Sequence, residues 1–299
     1  ELSKELVDDR EQFIHDYAHA SNASSGSEVD SNANVTHKTI STLEAEIYKP
    51  YTIQINRAKV CRKLKEMYGA NVVDEYLMDI RNHYIYVHDE TSLKPYCASI
   101  TMYPFLLEGT KCMGGVSKAP TNLQSFCGSF VNLVYQVASN FAGAIATVEF
   151  LNYFDYFARK EYGQDYAKFL LGATQGGPDD VVDDHCHYIQ HIIGNALQSV
   201  VYAINQPAAA RGYQAVFWNI SIFDQFYFEN MFENFVFPDM TTPQWESVDK
   251  LQRFFMTWFN KEREKALLTF PVVTAALLTD GEKPRDEEYA RFLSREMEE

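Results

Sequence analysis

The stretch Ala215-Val216-Phe217-Trp218-Asn219-Ile220 decides the fold class. It is short, aliphatic and aromatic, and carries no charge, the composition of a strand buried on both faces. Before it, Asp183 to Ala203 repeats apolar residues at helical spacing and opens on the acidic pair Asp183-Asp184, a helix-start signal. Gln206-Pro207 and the Arg211-Gly212 turn separate this helix from the strand. After it, Trp245 to Leu267 reads as an amphipathic helix and Thr269 to Leu278 as another strand, closed at Asp280-Gly281. Strands separated by long helices must cross over between pairings, so the pattern predicts parallel pairing in an α/β sheet or barrel.

The same reading extends towards the N-terminus. Tyr96 to Leu107 is a dense apolar run carrying Cys97, expected as a strand buried on both sides, and Tyr84-Ile85-Tyr86-Val87 reads as an extended segment closed by His88 and Asp89. Gly114-Gly115 and Pro120 punctuate a loop, and Asn122 to Phe157 has the small and apolar composition of closely packed helices. Leu2 to Tyr17 reads as a helix, Ser21 to Asn34 as a polar loop, and Thr39 to Tyr48 as a short helix stopped at Pro50. Ile53 to Tyr68 places Ile55, Val60, Leu64 and Met67 on one helical face and ends before Gly69. The chain therefore divides, on this reading, into a helical and loop region over 1–50 and a sheet-bearing region over 51–299. The charged stretch Arg285 to Glu299 is helix-like. Both ends read as cut, so the chain is expected to be a fragment.

Composition bounds the function. At 299 residues and 46% hydrophobic the chain can bury a large core, and with 22% charged residues it is not a disordered sequence. A net charge of -15 with no basic stripe excludes a nonspecific grip on nucleic acid, which needs dense Lys and Arg facing phosphates. No signal peptide or membrane-spanning apolar run is present. The five cysteines, Cys61, Cys97, Cys112, Cys127 and Cys186, include no CxxC pair, which argues against a zinc ribbon or thioredoxin-like site. Free thiols in an acidic chain fit a reducing cytoplasm.

Few residues stand out as chemistry. Cys97 is either a thiol presented into a barrel interior or a small buried hydrophobe. Cys127, in Ser125-Phe126-Cys127-Gly128, reads as packing or as a nucleophile ahead of a helix, whose dipole would lower its pKa. His187 and His191 lie one helical turn apart beside Asp183-Asp184-His185-Cys186, but no HExxH pattern accompanies them, and no metal site is assigned. Gly114-Gly115-Val116-Ser117-Lys118 offers backbone amides to a phosphate, while Gly172 and Gly176-Gly177 fit neither a P-loop nor a Rossmann motif. No GxSxG elbow is present.

An ordered series of longer stretches carries more. It comprises His88-Asp89 leading to Pro95-Tyr96-Cys97, Gly114-Gly115 with Ala119-Pro120, and Ser125 to Leu133. Gln136 to Ser139 through Ala146 to Phe150, Gln206-Pro207 to Asn219, and Phe270-Pro271 follow. From about Asn32 to the end, this series resembles the catalytic subunit of anaerobic (class III) ribonucleoside-triphosphate reductase, a glycyl radical enzyme.

The resemblance implies half of a ten-stranded α/β barrel with many packed helices, the whole barrel being built from two parallel five-stranded halves around the active site. It implies anaerobic reduction of ribonucleotides to deoxyribonucleotides for DNA synthesis. In such enzymes a glycyl radical generates a thiyl radical on a finger-loop cysteine, which takes the ribose 3′ hydrogen. A second cysteine on an early strand helps reduce the 2′ carbon, and Cys97 matches it. Gly114, Gly115, Ser117 and Asn122 fall in the expected substrate loop. Formate is the expected reductant. The expected partners are a ribonucleoside triphosphate substrate, dNTP and ATP effectors, a radical-SAM activating enzyme and a second copy of the chain. The finger loop, the radical glycine, the C-terminal zinc site and an ATP cone have no match here, so the chain alone is expected to be inactive. Two alternatives remain: an acyltransferase resembling pyruvate formate-lyase, and a non-catalytic nucleotide-binding or dimerisation module.

Overall fold

The computed structural model describes residues 11–15, 40–88, 90–92, 94–110, 116–171, 184–206 and 215–298. The chain forms two compact units, Glu1–Tyr96 with Pro207–Ala215, and Cys97–Gln206 with Val216–Glu299.

In the first unit residues 11–15 are helical, within the helix expected from Leu2 to Tyr17. Helix α1 then runs unbroken over Ile40–Tyr68. The expected stop at Pro50 is corrected: Pro50 lies inside the helix. A helical proline removes one N–H and crowds the carbonyl four residues back, here that of Glu46, at a cost of about 3 kcal/mol. Strong helix formers on both sides, such as Leu43-Glu44-Ala45-Glu46 and Lys63-Leu64-Lys65-Glu66, carry α1 through the defect. Thr52 Oγ1 also donates to the Tyr48 carbonyl at 3.0 Å, one turn away.

Helix α2, Ala70–Arg81, buries no residue. It ends where His83 takes a left-handed φ of 59°, and the Tyr84 and Ile85 amides both return to the Asp79 carbonyl, at 2.9 and 3.4 Å. The tetrad Tyr84–Val87, expected as an extended segment, is coil, with Tyr84 78% and Tyr86 83% exposed. Its β-propensity reflects packing against a neighbouring strand, and among the described residues no strand pairs with it. The chain beyond is anchored to α1. Arg57 Nε donates to Glu90 Oε1 at 3.0 Å, its Nη2 pairs with Oε2, and Asn56 Nδ2 donates to the Glu90 carbonyl at 2.9 Å.

The second unit contains the predicted parallel sheet. Strands β1 (Ala98–Ser99), β2 (Ile145–Thr147), β3 (Trp218–Phe223) and β4 (Val272–Ala276) lie side by side in chain order, each neighbouring pair parallel. Around them stand α3 (Tyr103–Glu108), α4 (Leu123–Ala138), α5 (Phe150–Tyr162), α6 (Asp184–Ile204), α7 (Gln225–Phe232), α8 (Trp245–Lys265) and α9 (Glu287–Glu298). A hairpin of β5 (Thr279–Asp280) and β6 (Lys283–Pro284) turns at the expected Asp280-Gly281.

Three boundaries differ from expectation. The run Tyr96–Leu107 yields only the two residues of β1 before becoming α3, with Pro104 in its first turn and Phe105 and Leu106 as its buried contacts. An apolar run alone does not separate a buried strand from a buried helix. Strand β2 lies inside the stretch expected as helix, between α4 and α5. Strand β3 begins at Trp218, with the Ile145 amide donating to the Phe217 carbonyl just ahead of it at 2.7 Å.

One face of the sheet is sealed by rings. The register aligns Ala98, Ile145 and Trp218 across three strands. Trp218 is fully buried and packs against Phe130 and Phe150 at 5.6 and 5.1 Å between ring centroids. Its indole N–H is satisfied by Thr147 Oγ1 at 2.8 Å, as a buried tryptophan requires. Further out, buried Asp155 on α5 accepts from Arg159 Nε at 2.7 Å, from the Tyr166 hydroxyl at 2.9 Å and from Ser247 Oγ on α8. Burial pushes the Asp155 carboxyl up, against the pull of Arg159 and these hydrogen bonds. Gln252 of α8 clamps β3 by donating to the Phe223 carbonyl at 2.8 Å and accepting its amide at 3.0 Å.

Candidate functional site

Side chains alternate between the faces of a strand, so the row opposite the aromatic core consists of Ser99, Ala146, Asn219 and Val272, aligned by the register. Three of these four are small or polar. A depression of about 350 Å³ opens here, lined by Cys97, Ala98, Ser99, Ala144, Ala146 and Asn219. The alanines and serine leave room above the sheet that larger residues would fill.

Cys97 stands at the entry of β1, two residues before Ser99. It is an exposed free thiol, and this corrects the expectation of a cysteine buried on both sides. The apolar density of its run belongs further along, to Met102, Phe105 and Leu106, which are buried. Its sulfur is nevertheless held: Sγ accepts the Ala144 amide at 3.2 Å, across the β1–β2 pairing in which the Ala98 amide donates to the Ala144 carbonyl at 3.0 Å. A backbone-held sulfur above a cavity can exchange hydrogen with a ligand lying in that cavity.

Asn219 was not singled out from sequence. Its Nδ2 donates to Thr274 Oγ1 on β4 at 2.8 Å, joining the two strands on the cavity side. The available signal was its place as the one amide in the otherwise apolar run of 215–220.

The remaining candidates are located elsewhere. Gly114 and Gly115 fall outside the described residues, as do Cys112, Asp183, Gly172 and Gly176-Gly177. Ser117 is tied to Thr110: their hydroxyls meet at 2.9 Å, the Ser117 amide donates to Thr110 Oγ1 at 3.1 Å, and the Thr110 amide donates to the Ser117 carbonyl at 3.2 Å. That loop lies against Gly109, where φ is 73° and a Cβ would come within 2.0 Å of the Ser117 carbonyl oxygen. Asn122 is the N-cap of α4, its Oδ1 accepting the Ser125 amide at 2.8 Å while Ser125 Oγ accepts the Asn122 amide at 3.1 Å, a reciprocal capping box. Neither Ser117 nor Asn122 lines the depression.

Cys127 lies within α4 rather than ahead of it, buried beside Phe126 in the helical sequence. Burial pushes its thiol up to about 12, so it is a neutral packing residue. His191 meets Asn195 Nδ2 at 3.3 Å, and the His185 ring stands edge-on to Phe169 at 4.6 Å. Among the described residues no group of three or more His, Cys, Asp or Glu is arranged to hold a metal. No helix among them is long and apolar enough to cross a membrane.

Comparison with known proteins adds to this geometry. A family model described as anaerobic ribonucleoside-triphosphate reductase matches residues 44–298. No curated protein matches. The Thermotoga maritima anaerobic ribonucleotide reductase with dATP bound in the specificity site superposes with a TM-score of 0.74 at 27% identity, covering 96% of this chain and 44% of that one. The same enzyme in complex with dATP and CTP gives 0.75 at 26% identity, covering 96% and 43%. A further structure described as anaerobic ribonucleotide reductase gives 0.76 at 28% identity, covering 98% and 43%. The chain thus spans less than half the length of these structures.

Proposed function

This chain belongs to the anaerobic ribonucleoside-triphosphate reductase family, and from that premise we propose that it forms one half of a catalytic barrel that reduces ribonucleotides to deoxyribonucleotides by radical chemistry. On this reading β1 to β4 belong to one five-stranded half of a ten-stranded barrel, and the row Ser99-Ala146-Asn219-Val272 faces its interior. The family match favours ribonucleotide reduction over acyl transfer.

The observation that carries the proposal is Cys97, whose sulfur is fixed by the Ala144 amide over a cavity floored by small side chains. The 2′ carbon of the substrate needs a hydrogen donor at short range once water has left, and a thiol S–H supplies one. Formate is the proposed source of the two electrons: ribonucleotide and formic acid give deoxyribonucleotide, carbon dioxide and water, which balances. The glycyl radical, the cysteine that it activates and the zinc site are proposed to come from sequence outside this chain. Ribonucleoside triphosphates as substrates and dNTP effectors are proposed by analogy with the Thermotoga structures that hold CTP and dATP. A radical-SAM activating enzyme and a homodimer complete the proposed assembly.

The test is Cys97→Ser in the longest natural polypeptide containing this chain, activated anaerobically. The expected result is loss of deoxyribonucleotide formation with ribonucleotide binding retained. Full dNTP synthesis by the variant would overturn the role of Cys97.

A further inference from the structure

Asn219 and Thr274 are the polar pair on the open face that the redox chemistry leaves unused. Asn219 sits in the same cross-strand row as Ser99 and Ala146 and lines the same depression as Cys97. A carboxamide offers a carbonyl acceptor and an amino donor. Asn219 Nδ2 donates to Thr274 Oγ1 at 2.8 Å, an anchor that leaves Oδ1, with no partner among the described residues, to accept from a ligand. Two features make this more than strand glue. β3 and β4 already pair over five aligned positions, from Asn219↔Val272 to Phe223↔Ala276, without the side-chain bond. The neighbouring Ala146 and Ser99 are too small to cover the amide.

Resting on the proposed function, we propose that Asn219 is a substrate-positioning residue, whose Thr274-oriented carbonyl accepts a hydrogen bond from a ribose hydroxyl of the ribonucleotide over Cys97. Such a residue discriminates by chemistry: an analogue lacking the bonded hydroxyl leaves the acceptor unmet. Thr274 acts through Asn219, by holding the amide in one orientation.

The experiment measures equilibrium binding of CTP, 2′-deoxy-CTP and 3′-deoxy-CTP to the longest natural polypeptide containing this chain. Wild type is compared with Asn219→Ala, Thr274→Val and Thr274→Ser. The wild-type protein is expected to bind CTP about fivefold to tenfold more tightly than one of the two deoxy analogues, the range of one neutral hydrogen bond. Asn219→Ala is expected to abolish that preference and to leave affinity for the disfavoured analogue unchanged. Thr274→Val should reduce the preference, and Thr274→Ser, which keeps the hydroxyl, should restore it. A variant that merely loosened the sheet would weaken all three ligands together. An unchanged preference in Asn219→Ala overturns the inference and leaves the proposed function standing. If Asn219→Ala does not fold, equal preference in Thr274→Val and Thr274→Ser overturns the orienting role. Failure of the wild-type protein to bind CTP at all overturns the reading on which the inference rests.

Discussion

Replacing Asp155 by alanine should be among the most damaging single changes to this fold. The carboxylate is fully buried and receives Arg159 Nε, the Tyr166 hydroxyl and Ser247 Oγ. Arg159 is itself buried, its side chain 3% exposed, and among the described residues would retain only the side-chain hydrogen bond of Nη1 to Gln164 Oε1 at 3.2 Å. Removing one partner of a buried ion pair strands the other charge, at about 3–5 kcal/mol. Loss of the carboxylate also releases the link between α5, the 3-10 turn Tyr166–Phe169 and α8. Much of the cost is the stranded guanidinium rather than lost attraction, so the double variant Asp155→Ala/Arg159→Met should be more stable than the sum of the single changes, by about 1–3 kcal/mol. Urea denaturation followed by far-UV circular dichroism, on all four members of the cycle, reads both numbers. A cost below about 1 kcal/mol for Asp155→Ala, or strict additivity in the double variant, would refute the reasoning.

Other changes have smaller and more local outcomes. Asn122→Ala should cost about 1 kcal/mol in the same denaturation assay, because the Ser125 amide loses its cap at 2.8 Å. Restoration by Asn122→Asp would identify the cap as the cause. The Glu262 carboxyl is held below its ordinary range, first by Lys265 Nζ at 2.6 Å and then by the Tyr202 hydroxyl at 2.9 Å, against burial. A depressed carboxyl adds stability above its unfolded pKa of about 4.3 and loses it as pH falls through the lower folded value. Thermal melts should therefore show Glu262→Gln less stable than wild type near neutral pH, the gap closing in strong acid. In native alkylation with iodoacetamide, exposed Cys97 should react readily, while Cys127, buried and with its thiol pushed up to about 12, should react only after unfolding. Peptide mass spectrometry distinguishes the two sites.

What was legible in the sequence was what local periodicity controls. Helices α6 and α8 lie within two residues of the spans expected from apolar spacing, and the parallel sheet follows from the long helices between its strands. Where tertiary context decides, sequence reasoning failed in identifiable ways. Ile145–Thr147 is three residues long, too short to show alternation, and it is a strand because the chain on either side places its amides against β1 and β3. Pro50 marks a defect that a 29-residue helix absorbs. The site followed the same division. Cys97 stands out as a candidate through an ordered resemblance, and its exposure is not legible in the sequence because the apolar residues beside it pack around α3. Asn219 was hidden by the very strand composition that made its segment recognisable.

The two faces of the sheet differ in how completely they are filled. On one face Phe130, Phe150 and Trp218 seal the strands, and the Trp218 indole N–H is met by Thr147 Oγ1. That face needs no ligand to be stable. The opposite row of Ser99, Ala146, Asn219 and Val272 buries little, with Val272 51% exposed, and contributes correspondingly little to folding. Selection for stability alone would fill such a row with larger apolar residues. Small side chains around a backbone-held thiol instead preserve space, at the expense of burial. Radical intermediates require water and oxygen to be kept away, so on the proposed function this row must be covered when it works, and the substrate together with the second half of the barrel is the natural cover. The exposed sulfur of Cys97 is then an unfinished interior rather than a surface, and the same small residues that leave it open here would let ribose reach it there.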